Sequence, residues 1–128
     1  MRLIGFLLLV GFSAFAQKPN VKKAVAHAEF QTNLMLSELA KADHENGLLV
    51  SPRTLEDGKL KLVAAKDWTS GFFPGNLWYL YELSKNEQWK IAAEKYTANI
   101  EQEKINGKTH DMGFKIYCSF GNGYRLTN

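Results

Sequence analysis

The chain has 128 residues, 45% of them hydrophobic and 23% charged, a globular balance that excludes disordered and wholly membrane-embedded classes. The formal net charge is +3. Lys and Arg are interleaved with Glu and Asp and form no long basic run, which argues against a nucleic-acid partner. Setting aside residues 1–16, which hold Arg2 and no acid, lowers the charge by one, to +2.

Residues 1–16 have the three-part pattern of a secretory signal: Arg2, an apolar stretch from Leu3 to Phe12, and the small-x-small site Ala14-Phe15-Ala16. Gln17 is the expected mature start, and the expected destination is the bacterial periplasm. The uncharged stretch from Leu3 to Gln17 is short for a membrane span of ~20 residues, so no span is expected after cleavage. Cys118 is the only cysteine. It lies far from the cleavage site, which excludes a lipid-anchoring signal, and one cysteine makes no internal disulfide.

Val21 to Ala42 reads as a helix, with Val21, Val25, Ala28, Leu36, Leu39 and Ala40 near helical spacing. Asp43-His44-Glu45-Asn46-Gly47 ends it. Leu48 to Trp68, with Pro52, Asp57-Gly58 and the alternating Lys59-Leu60-Lys61-Leu62-Val63, predicts an extended crossover or a short hairpin. Pro74 suits a first helical turn, and Leu77, Trp78, Leu80, Tyr81 and Leu83 give the helix it opens a broad apolar face, buried on most sides. Glu87 to Gln102 carries one apolar stripe, Trp89, Ala92, Ala93, Tyr96 and Ile100, and should keep one wet face. Asn106-Gly107-Lys108 breaks that helix. Thr109 stands where an N-cap would precede another, from about Asp111 to Phe120, before Gly121-Asn122-Gly123. Successive helix pairs, one buried and one amphipathic, point to an all-α toroid or a helical-repeat array. Four helices are too few to close a toroid, so a fragment or truncated chain is expected.

Two stretches carry more functional residue types than packing asks for. Asp67-Trp68-Thr69-Ser70-Gly71-Phe72-Phe73-Pro74-Gly75-Asn76-Leu77-Trp78 brings aromatics, glycines and hydroxyls to a helix start, a composition that can hold a sugar ring through its apolar C–H face. A tight turn feeding an aromatic core accounts for the same residues. Thr109-His110-Asp111-Met112-Gly113-Phe114 opens the last helix, and there an aspartate can cap backbone N–H groups or serve a site. His27 and His44 have no ligand-type spacing to His110-Asp111, so no metal is expected. Cys118 reads as a small buried residue, with no activating base to make it a nucleophile. In a toroid both stretches would lie at inner-helix starts on one rim and converge on one mouth.

These blocks, in this order after Pro52-Arg53-Thr54 and Asp57-Gly58-Lys59-Leu60, resemble the opening of glycoside hydrolase family 88, the unsaturated glucuronyl hydrolases. The resemblance runs from about Val21 to the end. It implies an all-α (α/α)6 barrel, present here only in its N-terminal part, with no cofactor. It also implies a substrate: an oligosaccharide of glycosaminoglycan type, ending in a 4,5-unsaturated glucuronic acid left by a lyase. The enzyme would hydrate the C4=C5 vinyl ether, with a carboxylic acid protonating C4 and water adding at C5. By the resemblance Asp111 matches one of two essential aspartates and takes a supporting role, Trp68 and His110 are sugar contacts, and Asn76 is a weaker contact. The main acid/base aspartate has no counterpart before Asn128, so the 128-residue chain is expected to be inactive alone. An unsaturated rhamnogalacturonyl hydrolase acting on pectin fragments and a non-catalytic sugar-binding helical protein are the competing readings; the His-Asp-Met-Gly-Phe block argues against the first.

Overall fold

The computed structural model describes residues 20–128, and the signal-like segment 1–16 lies outside the described residues. Helix α1 spans Val21–Lys41, where the Asn20 side chain accepts the Lys23 N–H at 3.0 Å as an N-cap. The stretch whose sequence fits a crossover or a hairpin is a hairpin. Strand β1, Leu49–Glu56, pairs antiparallel with β2, Lys59–Ala64, and Glu56 stands opposite Lys59. Only two residues turn the corner, and Asp57 and Gly58 both take positive φ, 50° and 74°, as a turn matched to strand twist requires. In β2 the consecutive Leu62 and Val63 are both buried, so each face of the strand is covered at this end.

Helix α2 is Phe72–Ser84 and α3 is Glu87–Ala98. They pack as an antiparallel pair through Phe73, Leu77, Trp78, Leu80, Trp89, Ala93 and Tyr96, joined by Leu39 of α1 and Leu62 of β2. The core indoles are satisfied: Trp78 Nε1 donates to Thr97 Oγ1 at 3.1 Å and Trp89 Nε1 to Glu29 Oε1 at 2.7 Å. Helix α2 starts two residues before Pro74, which therefore sits in the first turn, where its missing N–H costs nothing. The expected extension of α3 to Gln102 is corrected. The α-helix stops at Ala98, and a 3₁₀ helix at Glu101–Ile105 follows, because tightening the chain at Ile100, whose N–H bonds Thr97 O at 3.1 Å, buries that side chain completely.

The last helix also departs from its predicted form. It is a π-helix over Gly113–Gly121 that runs on into α4, Asn122–Thr127, so Gly121-Asn122-Gly123 breaks nothing. Gly123 is there for contact: a Cβ on it would come within 2.9 Å of the Trp78 ring. The two glycines at the start of α2 serve the same end. A Cβ at Gly75 would meet Cys118 O at 2.8 Å, and one at Gly71 would collide with the Phe114 and Lys115 carbonyls and lie 2.6 Å from Lys115 Cα. Of the two readings of this stretch, ligand contact and a tight turn feeding an aromatic core, these glycines fit the second, through close packing of α2 on the π-helix backbone. Because backbone cannot withdraw as a flexible side chain can, Gly71→Ala is expected to lower the unfolding free energy by about 1–3 kcal/mol. Gly107→Ala, with nothing within 4 Å of its Cβ position, is the control in urea titrations. Cys118 is half-buried rather than buried, and desolvation pushes its thiol up, away from the thiolate a nucleophile needs.

His44 fastens α1 to the hairpin. Its Nε2 lies 2.9 Å from the Leu39 carbonyl and its Nδ1 2.9 Å from the Leu49 carbonyl. Carbonyls only accept, so both contacts are hydrogen bonds only in the imidazolium form. The bonds to Leu39 and Leu49, with a smaller push from Asp43, raise the pKa above 6.5 against opposing burial and Lys95. A raised folded pKa means stability fully present below about pH 6.5 and lost as pH climbs through the higher folded value. The wild-type urea midpoint is expected to fall over that interval, whereas a His44→Ala variant, lower at acid pH, is expected to lack this component.

Candidate active site

Two chain turns build the site. The first joins β2 to α2 by consecutive short bonds: Asp67 N to Ala64 O, Ser70 N to Asp67 O and Phe72 N to Thr69 O, at 3.0–3.1 Å. Buried Ser70 donates to Ala65 O at 2.8 Å and accepts at its carbonyl from Ser51 Oγ at 2.9 Å. Its hydroxyl is thereby consumed by the fold, like Gly71 and Gly75. Trp68 is left at the surface, edge-to-face with Phe72 at 5.7 Å and with Phe114 at 5.9 Å; Phe72 and Phe114 are themselves 5.7 Å apart. Each ring of this triad keeps between a third and a half of its area exposed, unlike the core aromatics beneath it.

The second turn leads into the π-helix. Thr109 Oγ1 accepts the Asp111 N–H at 3.2 Å, and the Asp111 carbonyl accepts from Phe114 N at 3.1 Å. Thr109 thus bonds the turn that precedes the helix, and no side chain caps the π-helix itself. The Asp111 carboxylate makes no cap, which removes the structural reason for an acid at this position. It lines a cavity of about 610 Å³ together with Trp68, Thr109, Asp67, Arg53, Lys66 and residues of the hairpin.

The other carboxylate on this wall is already engaged. Asp67 accepts from Thr69 Oγ1 at 2.6 Å, from Thr69 N at 2.9 Å and from Arg53 Nη1 at 3.2 Å. Partial burial alone would push it up. The two Thr69 bonds, with Arg53 and then Lys115, outweigh that and hold the carboxyl below its usual range.

Of the sequence-derived site residues, Trp68 and Asp111 share the cavity. His110 stands beside them, its side chain 97% exposed and its Nε2 3.6 Å from Asp111 Oδ1, too long for a hydrogen bond. Asn76 is elsewhere: it lines a separate hollow of about 300 Å³ with Thr69, Phe72 and Pro52. Arg53, Lys61 and Lys66 also line this cavity, though nothing in the sequence marked them as site residues. They fall in the stretch Leu48 to Trp68, which the sequence marks only as extended.

A carboxylate without a capping duty, an exposed aromatic face and the cations Arg53, Lys61 and Lys66 at one mouth form a site for a polar ring bearing negative charge. Two known proteins are similar to this chain. An unsaturated glucuronyl hydrolase of Formosa agariphila is 56% identical over 63 residues, 49% of this chain and 16% of the relative. A crystal structure of an unsaturated glucuronyl hydrolase specific for heparin aligns with a TM-score of 0.66 and 37% identity, covering 84% of this chain and 27% of that one. The chain is similar to unsaturated glucuronyl hydrolases. It therefore has the fold of part of an α/α barrel, all-α apart from the hairpin. The chain spans about a sixth of the curated relative's length and about a quarter of the solved chain's. No family model matches it. Among the described residues no helix is long and apolar enough to cross a membrane.

Proposed function

We propose that the protein is a glycoside hydrolase that releases 4,5-unsaturated glucuronic acid from the non-reducing end of lyase-generated oligosaccharides. The observation carrying this reading is the cavity shared by the Asp111 carboxylate and the Trp68 ring, in a chain similar to two such enzymes. In this reading the apolar face of the sugar lies against Trp68, with His110 as a contact at the rim. Protonation of C4 places positive charge on C5 and the ring oxygen, water adds at C5, and the hemiketal opens to free the neighbouring sugar. Asp111 faces the charge that develops and holds sugar hydroxyls. Asp67, kept ionised by Thr69 and Arg53, is unsuited to donate the proton, so the donor is a further carboxyl group outside this cavity wall. Asn76, in its separate hollow, contacts a neighbouring sugar unit. An exported, periplasmic enzyme is part of the same proposal and rests on residues 1–16.

The test is loss of ultraviolet absorbance from the C4=C5 bond when the complete native reading frame meets unsaturated glucuronyl disaccharides. Loss with glycosaminoglycan-derived disaccharides is the expected result. Loss only with pectin-derived ones would transfer the reading to the rhamnogalacturonyl substrate. A folded protein that consumes neither, yet binds them, would make it a sugar-binding protein.

A further inference from the structure

Lys115 is fully buried, a rare position for a lysine. Its Nζ donates to Glu103 Oε2 at 2.6 Å and to the Lys66 carbonyl at 3.3 Å. Glu103, in the 3₁₀ helix after α3, is buried too and also accepts from Asn106 Nδ2 at 2.7 Å; Asn106 Oδ1 in turn accepts the Lys108 N–H at 3.0 Å. The ammonium thus joins two otherwise separate pieces of chain. One is the turn whose next residues are Asp67 and Trp68. The other, through Glu103 and Asn106, is the loop that delivers Thr109 and Asp111. These are the two walls of the 610 Å³ cavity. From the other side of the same helical turn, Phe114 meets Trp68.

A buried ion pair is a poor source of net stability, because desolvating both charges offsets most of their attraction, and apolar replacements are often as stable. What such a pair does supply is a fixed distance: neither partner can move without leaving the other charge unpaired. We propose that Lys115 is a positioning residue, whose pairing with Glu103 and Lys66 O sets the separation between the Trp68 wall and the Asp111 wall. The proposal rests on the hydrolase reading for its catalytic consequence, though not for the geometry.

The decisive variant is Glu103→Gln with Lys115→Met. It leaves no lone buried charge and keeps an acceptor for Asn106, so the fold survives while the clamp is lost. In the complete native reading frame the double variant is expected to unfold cooperatively near the wild-type midpoint. Its kcat/KM for an unsaturated glucuronyl disaccharide is expected to fall by roughly ten- to a hundredfold, as a misplacement of about 1 Å can produce. A folded double variant with wild-type kcat/KM overturns the proposal. If the wild type consumes no unsaturated uronide, the hydrolase reading fails on its own, and the clamp is judged by NMR of the same complete protein. Movement of both the Trp68 indole and the Thr109 amide resonances in the double variant supports it, and unmoved resonances at either wall overturn it. A Glu82→Gln variant, which breaks the remote Glu82–Arg125 pair, should move neither.

Discussion

Asp111→Asn in the complete native reading frame is expected to lower kcat for unsaturated glucuronyl disaccharides by about 10²–10³-fold, the usual cost of removing one preorganised electrostatic group. The substitution is nearly isosteric, so the comparison isolates charge. It is also structurally quiet, because the hydrogen bonds at this position run through the main chain: Asp111 N to Thr109 Oγ1 and Phe114 N to Asp111 O. KM should change much less than kcat, since the lost interaction strengthens only as positive charge develops on the sugar ring. A second effect has the same sign. A carboxylate near the proton donor raises the donor's pKa and keeps it loaded, so the variant's alkaline limb should move to lower pH. The ultraviolet assay across pH reads both quantities. An Asp111→Asn enzyme with wild-type kcat would remove Asp111 from the site.

The parts of this molecule that could be read from sequence are those where one residue type has one local meaning. Asp57-Gly58 between alternating residues is a two-residue hairpin turn, and Trp89, Ala92, Ala93 and Tyr96 describe a helical face; both stand in the structure. Glycine has several meanings, and there the choice between them stayed open. Gly71, Gly75 and Gly123 can signal a ligand, a turn or a break, whereas each is a point where a neighbouring backbone or indole leaves no room for a Cβ. That fact belongs to the pairing of α2 with the π-helix and is absent from any local window. The π-helix itself has no sequence signature, since its apolar spacing over nine residues passes for an ordinary helix. Aspartate shows the opposite case. Read alone, Asp111 points to capping, whereas in the structure its own N–H is bonded by Thr109 Oγ1 and no side chain caps the helix that follows.

Lys115→Met alone is expected to be far more damaging than the double substitution, lowering stability by about 3–5 kcal/mol at neutral pH, the cost of leaving one member of a buried pair behind. The carboxylate left is Glu103, which is nearly inaccessible and loses its 2.6 Å ammonium. In the wild type, burial pushes the Glu103 carboxyl up, but Lys115 and Asn106 outweigh it and hold the value below the ordinary 4.5. A depressed folded pKa contributes stability above the unfolded value, which is lost as pH falls through the folded one. Without Lys115 the burial effect dominates and the sign reverses: the variant's carboxyl is raised, so it is least penalised in acid and loses stability as pH rises through its new value. The gap between wild type and variant in urea should therefore be small in acid and widen towards neutrality. Adding Glu103→Gln should close most of it, because the amide carries no charge to strand. A gap independent of pH would assign the loss to packing of the lysine stem rather than to its charge, and would leave the ion pair without the role its geometry gives it.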